Sequence, residues 1–161
     1  MEIPVFISCP KAYLQRQEDF LNQVESYLRS CELRPMTLGR SEYSINAPLV
    51  AIRQLMAGSF GLLALAFRRT LVSAAVDRPN SDIGEPQKNR DLSWLSSPYC
   101  QIEPAMAYQI GLPVCIWREQ GVMAEGLLDR GAVDLAMPEF DLDAPPVLTD
   151  KEWKQPLQEL V

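Results

Sequence analysis

The chain of 161 residues contains no histidine. That absence removes the Ser-His-Asp triad, the Cys-His pair, the histidine-ligated metal and the histidine pH switch, all of which need an imidazole. Long apolar runs are also missing. The most apolar stretch, residues 60–67 (FGLLALAF), is far shorter than the roughly 20 residues of a membrane-spanning helix, so no membrane span is expected. Cysteine is sparse: Cys9, Cys31, Cys100 and Cys115 lie far apart with no C-x-x-C pair, and the opening Met-Glu-Ile-Pro is unlike a signal peptide. Reduced thiols and a cytoplasmic location are expected. Positive charge is in deficit, with 15 basic against 21 acidic residues and no basic stripe, which argues against a nucleic-acid partner. A few arginines would still suffice for a small anionic ligand.

With 47% apolar residues the chain can bury one core of ordinary size. Residues 3–8 (IPVFIS) read as a buried strand halted at Cys9-Pro10. Phe20, Val24, Tyr27, Leu28 and Cys31 fall on one face of a helix over residues 15–31. A second strand is predicted at 34–38, a polar loop at 39–47, and a helix opened by Pro48 and closed at Gly58-Ser59. Residues 60–67 read as the central strand of a parallel sheet covered on both faces. Residues 68–95 lack periodicity and predict a long loop, partly disordered or forming a lid. A helix at 100–110, a strand at 114–117, a short helix at 124–130 and a possible fifth strand at 132–136 follow. The reading is an α/β fold: an open, mostly parallel five-stranded sheet with helices on both faces, flavodoxin-like, over residues 1–137. Residues 138–161 would be an acidic, peripheral extension ending in a short helix.

In such a sheet ligands bind at the carboxyl ends of the strands, where the loops after each strand converge. The helix near Cys100 should begin on that edge and bring Glu103 to the cleft, in a first turn whose dipole favours the ionised carboxylate. An ionised carboxylate there could hold ribose hydroxyls and stabilise the positive charge that grows on a sugar as an N-glycosidic bond breaks. Its bland alternative is a glutamate that only complements the dipole. Pro104 would make Glu103 the last residue before the helix proper.

Residues 97–103 (SPYCQIE) resemble the S-x-W-C-x-x-E motif of TIR domains, with tyrosine in place of the usual tryptophan. Residues 5–8 (VFIS) are similar to the opening strand of that family, and residues 39–59 look like its loop and helix after the second strand. The likeness spans roughly residues 3–136. It implies cleavage of the nicotinamide bond of NAD, with NAD as substrate and no cofactor, Glu103 as catalytic residue, self-association to complete the site, and defence signalling. Glu103 followed by a small-residue helix and G-L-P-V at 111–114 is also similar to nucleoside 2-deoxyribosyltransferases. A deoxyribosyltransferase or nucleotide N-glycosidase, and a non-catalytic module binding a nucleotide or a protein, are the alternatives.

Around Glu103 the substrate-binding candidates each carry a structural alternative. Ser8 would touch phosphate or ribose, or only local backbone. Arg40 and Tyr43 would bind pyrophosphate and stack on a base, or belong to a solvated loop. Arg68, with Arg69, would neutralise phosphates or merely solubilise. Trp94 and Tyr99 would cap a ring or seal the core. Ser97 joins the set through the TIR-like motif. Cys100 is a weak nucleophile candidate without a histidine base, Tyr108 could face core or cleft, and Arg53 belongs to the solvent side of its helix.

Overall fold

The computed structural model describes residues 2–132 and 137–160. Strands β1 (Ile3–Ser8), β2 (Leu33–Met36), β3 (Gly61–Ala66), β8 (Val114–Glu119) and β9 (Glu139–Phe140) form one sheet in the order β2-β1-β3-β8-β9, every pairing parallel. Helices α1 (Gln15–Ser30) and α4 (Lys151–Gln158) cover one face, and α2 (Pro48–Ala57) and α3 (Tyr99–Gln109) the other. The open α/β fold expected from the alternation of apolar strands and amphipathic helices is therefore present.

The sheet is central because its middle strand carries no polar side chain and its neighbours β1 and β8 carry theirs only at their carboxyl ends. All six residues of β3 are buried, and alternate residues feed two separate cores. Val5, Ile7, Leu63, Leu65 and Trp117 face α1 and α4, whereas Phe6, Leu62, Ala64, Ala66 and Ile116 face α2 and α3. On the first side Phe20 stacks on Phe140 with ring centres 4.7 Å apart, and Phe67 meets both rings edge-on. Such pairs add about 0.5–1.5 kcal/mol each beyond their area.

Residues 68–95 differ from the sequence expectation of an irregular segment. They form a two-tier antiparallel ribbon in which β4 (Thr70–Val72) pairs β7 (Ser93–Leu95) and β5 (Ala75–Asp77) pairs β6 (Lys88–Arg90). Strands of three residues with exposed or half-buried side chains produce no hydrophobic period, which is why the pattern is silent. The ribbon is pinned at its base, where Trp94 donates its N–H to the Gly121 carbonyl at 3.1 Å and accepts from Met123 N at 2.9 Å. The short helix expected at 124–130 is a single 3₁₀ turn at Gly126–Leu128.

The tail is also corrected. The expected strand at 132–136 lies almost wholly outside the described residues, and the fifth strand is β9, beyond Met137. Far from peripheral, the tail sends Phe140, Leu142, Leu148, Trp153, Leu157 and Leu160 into the larger core. Trp153 meets Trp117 edge-on at 5.0 Å. Leu160 lies so close to Gly61 that a Cβ there would come within 2.8 Å of its carbonyl oxygen. Acidic composition concealed this, because the charges occupy the outer face of α4 while the apolar residues recur at helical spacing.

Trp153→Ala should destabilise the chain by about 3–5 kcal/mol in urea unfolding, as expected for a buried aromatic. A peripheral tail would give a change within about 0.5 kcal/mol.

Candidate functional site

The carboxyl edge of the sheet receives the ends of β1, β3 and β8 and the start of α3. At the start of helix α3, whose cap position is Pro98, the Ser97 hydroxyl accepts from Tyr99 N at 3.2 Å and the Ser97 carbonyl accepts from Cys100 N at 3.0 Å. The helix presents Cys100, Glu103, Pro104 and Ala107 inward. Small residues at this contact, Ala64 and Ala66 on β3 against Cys100 and Ala107 on α3, allow close approach, and the Cys100 thiol reaches the Leu65 carbonyl at 3.8 Å.

Glu103 is the fifth residue of α3, in its second turn. Its expected position before the helix is thus corrected: Pro104 sits inside α3, where it removes the N–H that would close on the Cys100 carbonyl. The side chain is 7% exposed and makes no ion pair among the described residues. Burial pushes its pKa from the ordinary 4.5 up to about 7, and a hydrogen bond from the Ser8 hydroxyl pulls the other way. Burial thus opposes the helix dipole, which by itself favours the ionised carboxylate. A helix dipole is worth about 0.3–1 kcal/mol and fades beyond the first turn, whereas each pKa unit is worth about 1.4 kcal/mol.

Ser8, at the end of β1, is 1% exposed, and its one hydroxyl proton is shared between Glu103 and the Tyr99 carbonyl, 3.4 Å away. Ser8, Ser97, Cys100 and Glu103 thus converge on the junction of β1 and α3, with Tyr99 joining through its backbone alone, since the residue is 39% exposed. Cys9 adjoins them, since its thiol is raised first by burial and then by the nearby Cys100 and Glu103. Burial also raises the Cys100 thiol to about 12, so the thiolate that a helix start would favour is not formed.

The other candidates lie elsewhere. Arg40 is committed to α1: Nε donates to Glu25 at 2.8 Å, Nη1 to Glu18 at 2.7 Å and Nη2 to Asn22 at 2.7 Å. Tyr43 is 80% exposed, and Arg53, Arg69 and Tyr108 are exposed too. Arg68 and Trp94 form a second group, with the guanidinium 5.6 Å from the ring centre and Nε donating to the Gln120 carbonyl at 2.6 Å. Sequence reasoning missed the partners of this group. Glu119, buried at the end of β8, accepts from Arg68 N at 2.7 Å, and buried Gln17 donates to the Arg68 carbonyl at 2.9 Å. A polar residue terminating an apolar strand was the available signal for Glu119.

A cavity of about 370 Å³ opens beside the start of α3, lined by Ser97, Gln101, Ile102, Met123 and Glu125, and Glu103 does not line it. Among the described residues no three Cys, Asp or Glu side chains gather as metal ligands, and no helix is long and apolar enough to cross a membrane. Comparison with protein-family models, curated proteins and solved structures gives no match to this chain.

The buried carboxyl ties stability to pH. Between pH 4.5 and about 7 the unfolded chain has released this proton while the folded chain retains it, so the contribution of Glu103 to stability falls as pH rises through that window and is flat above it. The stability gained by Glu103→Gln should therefore grow by on the order of 3 kcal/mol between pH 4 and pH 8 in paired urea titrations. A pH-independent difference would show that Glu103 titrates as an exposed carboxyl.

Proposed function

We propose that this protein is a TIR-like enzyme that cleaves the nicotinamide N-glycosidic bond of NAD, yielding nicotinamide and a linear or cyclic ADP-ribose product. The observation that carries this reading is the buried Glu103 carboxyl at the carboxyl edge of a parallel sheet, facing Ser8, with no ion pair among the described residues. It is supported by the SPYCQIE segment, which supplies both the start of α3 and that carboxyl.

In this reaction the C1′–N bond breaks and its electron pair leaves with nicotinamide, which departs as a neutral molecule and needs no general acid. The positive charge passes to the ribose ring. The Glu103 carboxylate stabilises it and holds the neighbouring hydroxyls, after which water adds at C1′ and releases a proton, or an adenine nitrogen adds to close the cyclic product. Ser8 acts as a positioning residue by favouring the ionised form of Glu103. Cytoplasmic NAD would be the substrate, and association of two or more copies would complete a site that one chain leaves nearly closed.

A nucleoside deoxyribosyltransferase or nucleotide N-glycosidase is the second reading. It is favoured by the pKa of about 7, which leaves a protonated fraction able to assist a poorer leaving base. Incubation with NAD, and separately with deoxynucleosides, distinguishes the two by the base released. For NAD, kcat/KM should rise with pH to a plateau with a midpoint near 7, Glu103→Gln should lower it at least about 100-fold, and Ser8→Ala should move the midpoint upward. Undiminished release by Glu103→Gln would remove Glu103 from the chemistry. No release from any substrate at high protein concentration would favour a non-catalytic nucleotide- or protein-binding module.

A further inference from the structure

Arg68 leaves the end of β3 at the carboxyl edge of the sheet, and most of its polar atoms are fixed by a neighbour. Its backbone N–H donates to the buried Glu119 carboxyl at 2.7 Å, and its carbonyl accepts from the fully buried Gln17 amide at 2.9 Å. Nε of the side chain donates to the Gln120 carbonyl at 2.6 Å. The guanidinium carbon stands 5.6 Å from the centre of the Trp94 ring, a placement that attracts the cation to the ring face. Gly121 leaves room for it: φ there is 89°, and an added Cβ would come within 3.0 Å of Nη2.

Two donor nitrogens remain. Nη1 and Nη2 make no hydrogen bond among the described residues, and the acid that pairs with the group, Glu119, approaches it through Nε at 3.9 Å. Neither Nη atom is among the buried polar atoms that lack a partner, so both open to solvent. An ordinary surface arginine must give up rotamer freedom before it grips a ligand. Here the fold has already ordered the side chain, and one edge of its fork is left unused.

We infer that the Nη1–Nη2 edge of Arg68 binds a phosphate group, free or carried by a nucleotide. The planar fork matches two phosphate oxygens side by side, which a point charge cannot do. A phosphate dianion is favoured over a carboxylate, because ionised Glu119 offsets part of the guanidinium charge. A double charge at the free edge gains more from the nearer guanidinium than it loses to the more distant acid. The place is where open α/β sheets receive ligands, outside the carboxyl ends of the strands. With a net charge of −6 the chain repels anions at long range, so binding depends on this short-range fit and not on a general positive field.

Titration calorimetry of the full chain with inorganic pyrophosphate and with ADP tests this, adenosine being the control without phosphate. Saturable binding of both phosphates is expected, and none of adenosine. Binding of ADP at least about tenfold tighter than pyrophosphate assigns the site to nucleotides, and equal affinities assign it to free phosphate. Arg68→Lys keeps the charge and the backbone bonds but loses the fork, and should weaken pyrophosphate at least about tenfold with the urea midpoint unchanged. Arg69→Ala removes a like charge from the exposed neighbour and should change the affinity less than about twofold. Binding is read without catalysis, so the result is independent of the role of Glu103. No binding of either phosphate, adenosine binding as tight as ADP, undiminished binding by Arg68→Lys, or an equal loss in Arg69→Ala would overturn the inference.

Discussion

The close seating of α3 on β3 is the contact on which the candidate site depends. Alanines at 64 and 66 and small residues at 100 and 107 bring the helix near enough for the Cys100 thiol to reach the Leu65 carbonyl. Glu103, one turn further along the same inward face, is thereby carried below the surface and against the end of β1. A larger side chain at any of those four positions would lift the helix and return the carboxyl to water. Its pKa would then fall back toward the ordinary carboxylate range, and the reason to single it out would go with it.

The fold was legible wherever one physical signal dominated. β1, β3 and β8 are apolar because both faces of the sheet are covered, and α1 is amphipathic because only one of its faces is. The ribbon at 70–95 and the tail were not legible, for different reasons. Ribbon strands are short and lack buried side chains, so their pairing is stabilised by backbone hydrogen bonds, by Trp94, and by Arg90, which pairs with Asp77 and Glu125, and no period reveals these. In the tail Trp153, Leu157 and Leu160 did carry helical spacing, but the surrounding acids were given more weight than the spacing. β9, with only two residues, depends on its neighbour β8 for its existence.

The site divides the same way. Strand order and the position of α3 follow from chain connectivity, so the meeting of Ser8, Ser97, Tyr99 and Glu103 could be anticipated from their places along the chain. Side-chain partners could not. Arg40 and Arg68 are long and find whichever acceptors the tertiary structure supplies, Glu18 and Glu25 for one, Glu119 and the Gln120 carbonyl for the other. The ionisation of Glu103 depends on both dipole and burial, and a helix start is visible in sequence whereas the depth of burial is not.

The account stands on a carboxyl whose pKa burial raises to about 7. A direct measurement is the carbon-13 NMR titration of side-chain-labelled glutamate, with the Glu103 resonance assigned by its loss in Glu103→Gln. A midpoint near 7 is predicted. A midpoint near the ordinary 4.5 would contradict it, placing Glu103 in water and removing the physical basis for the proposed chemistry.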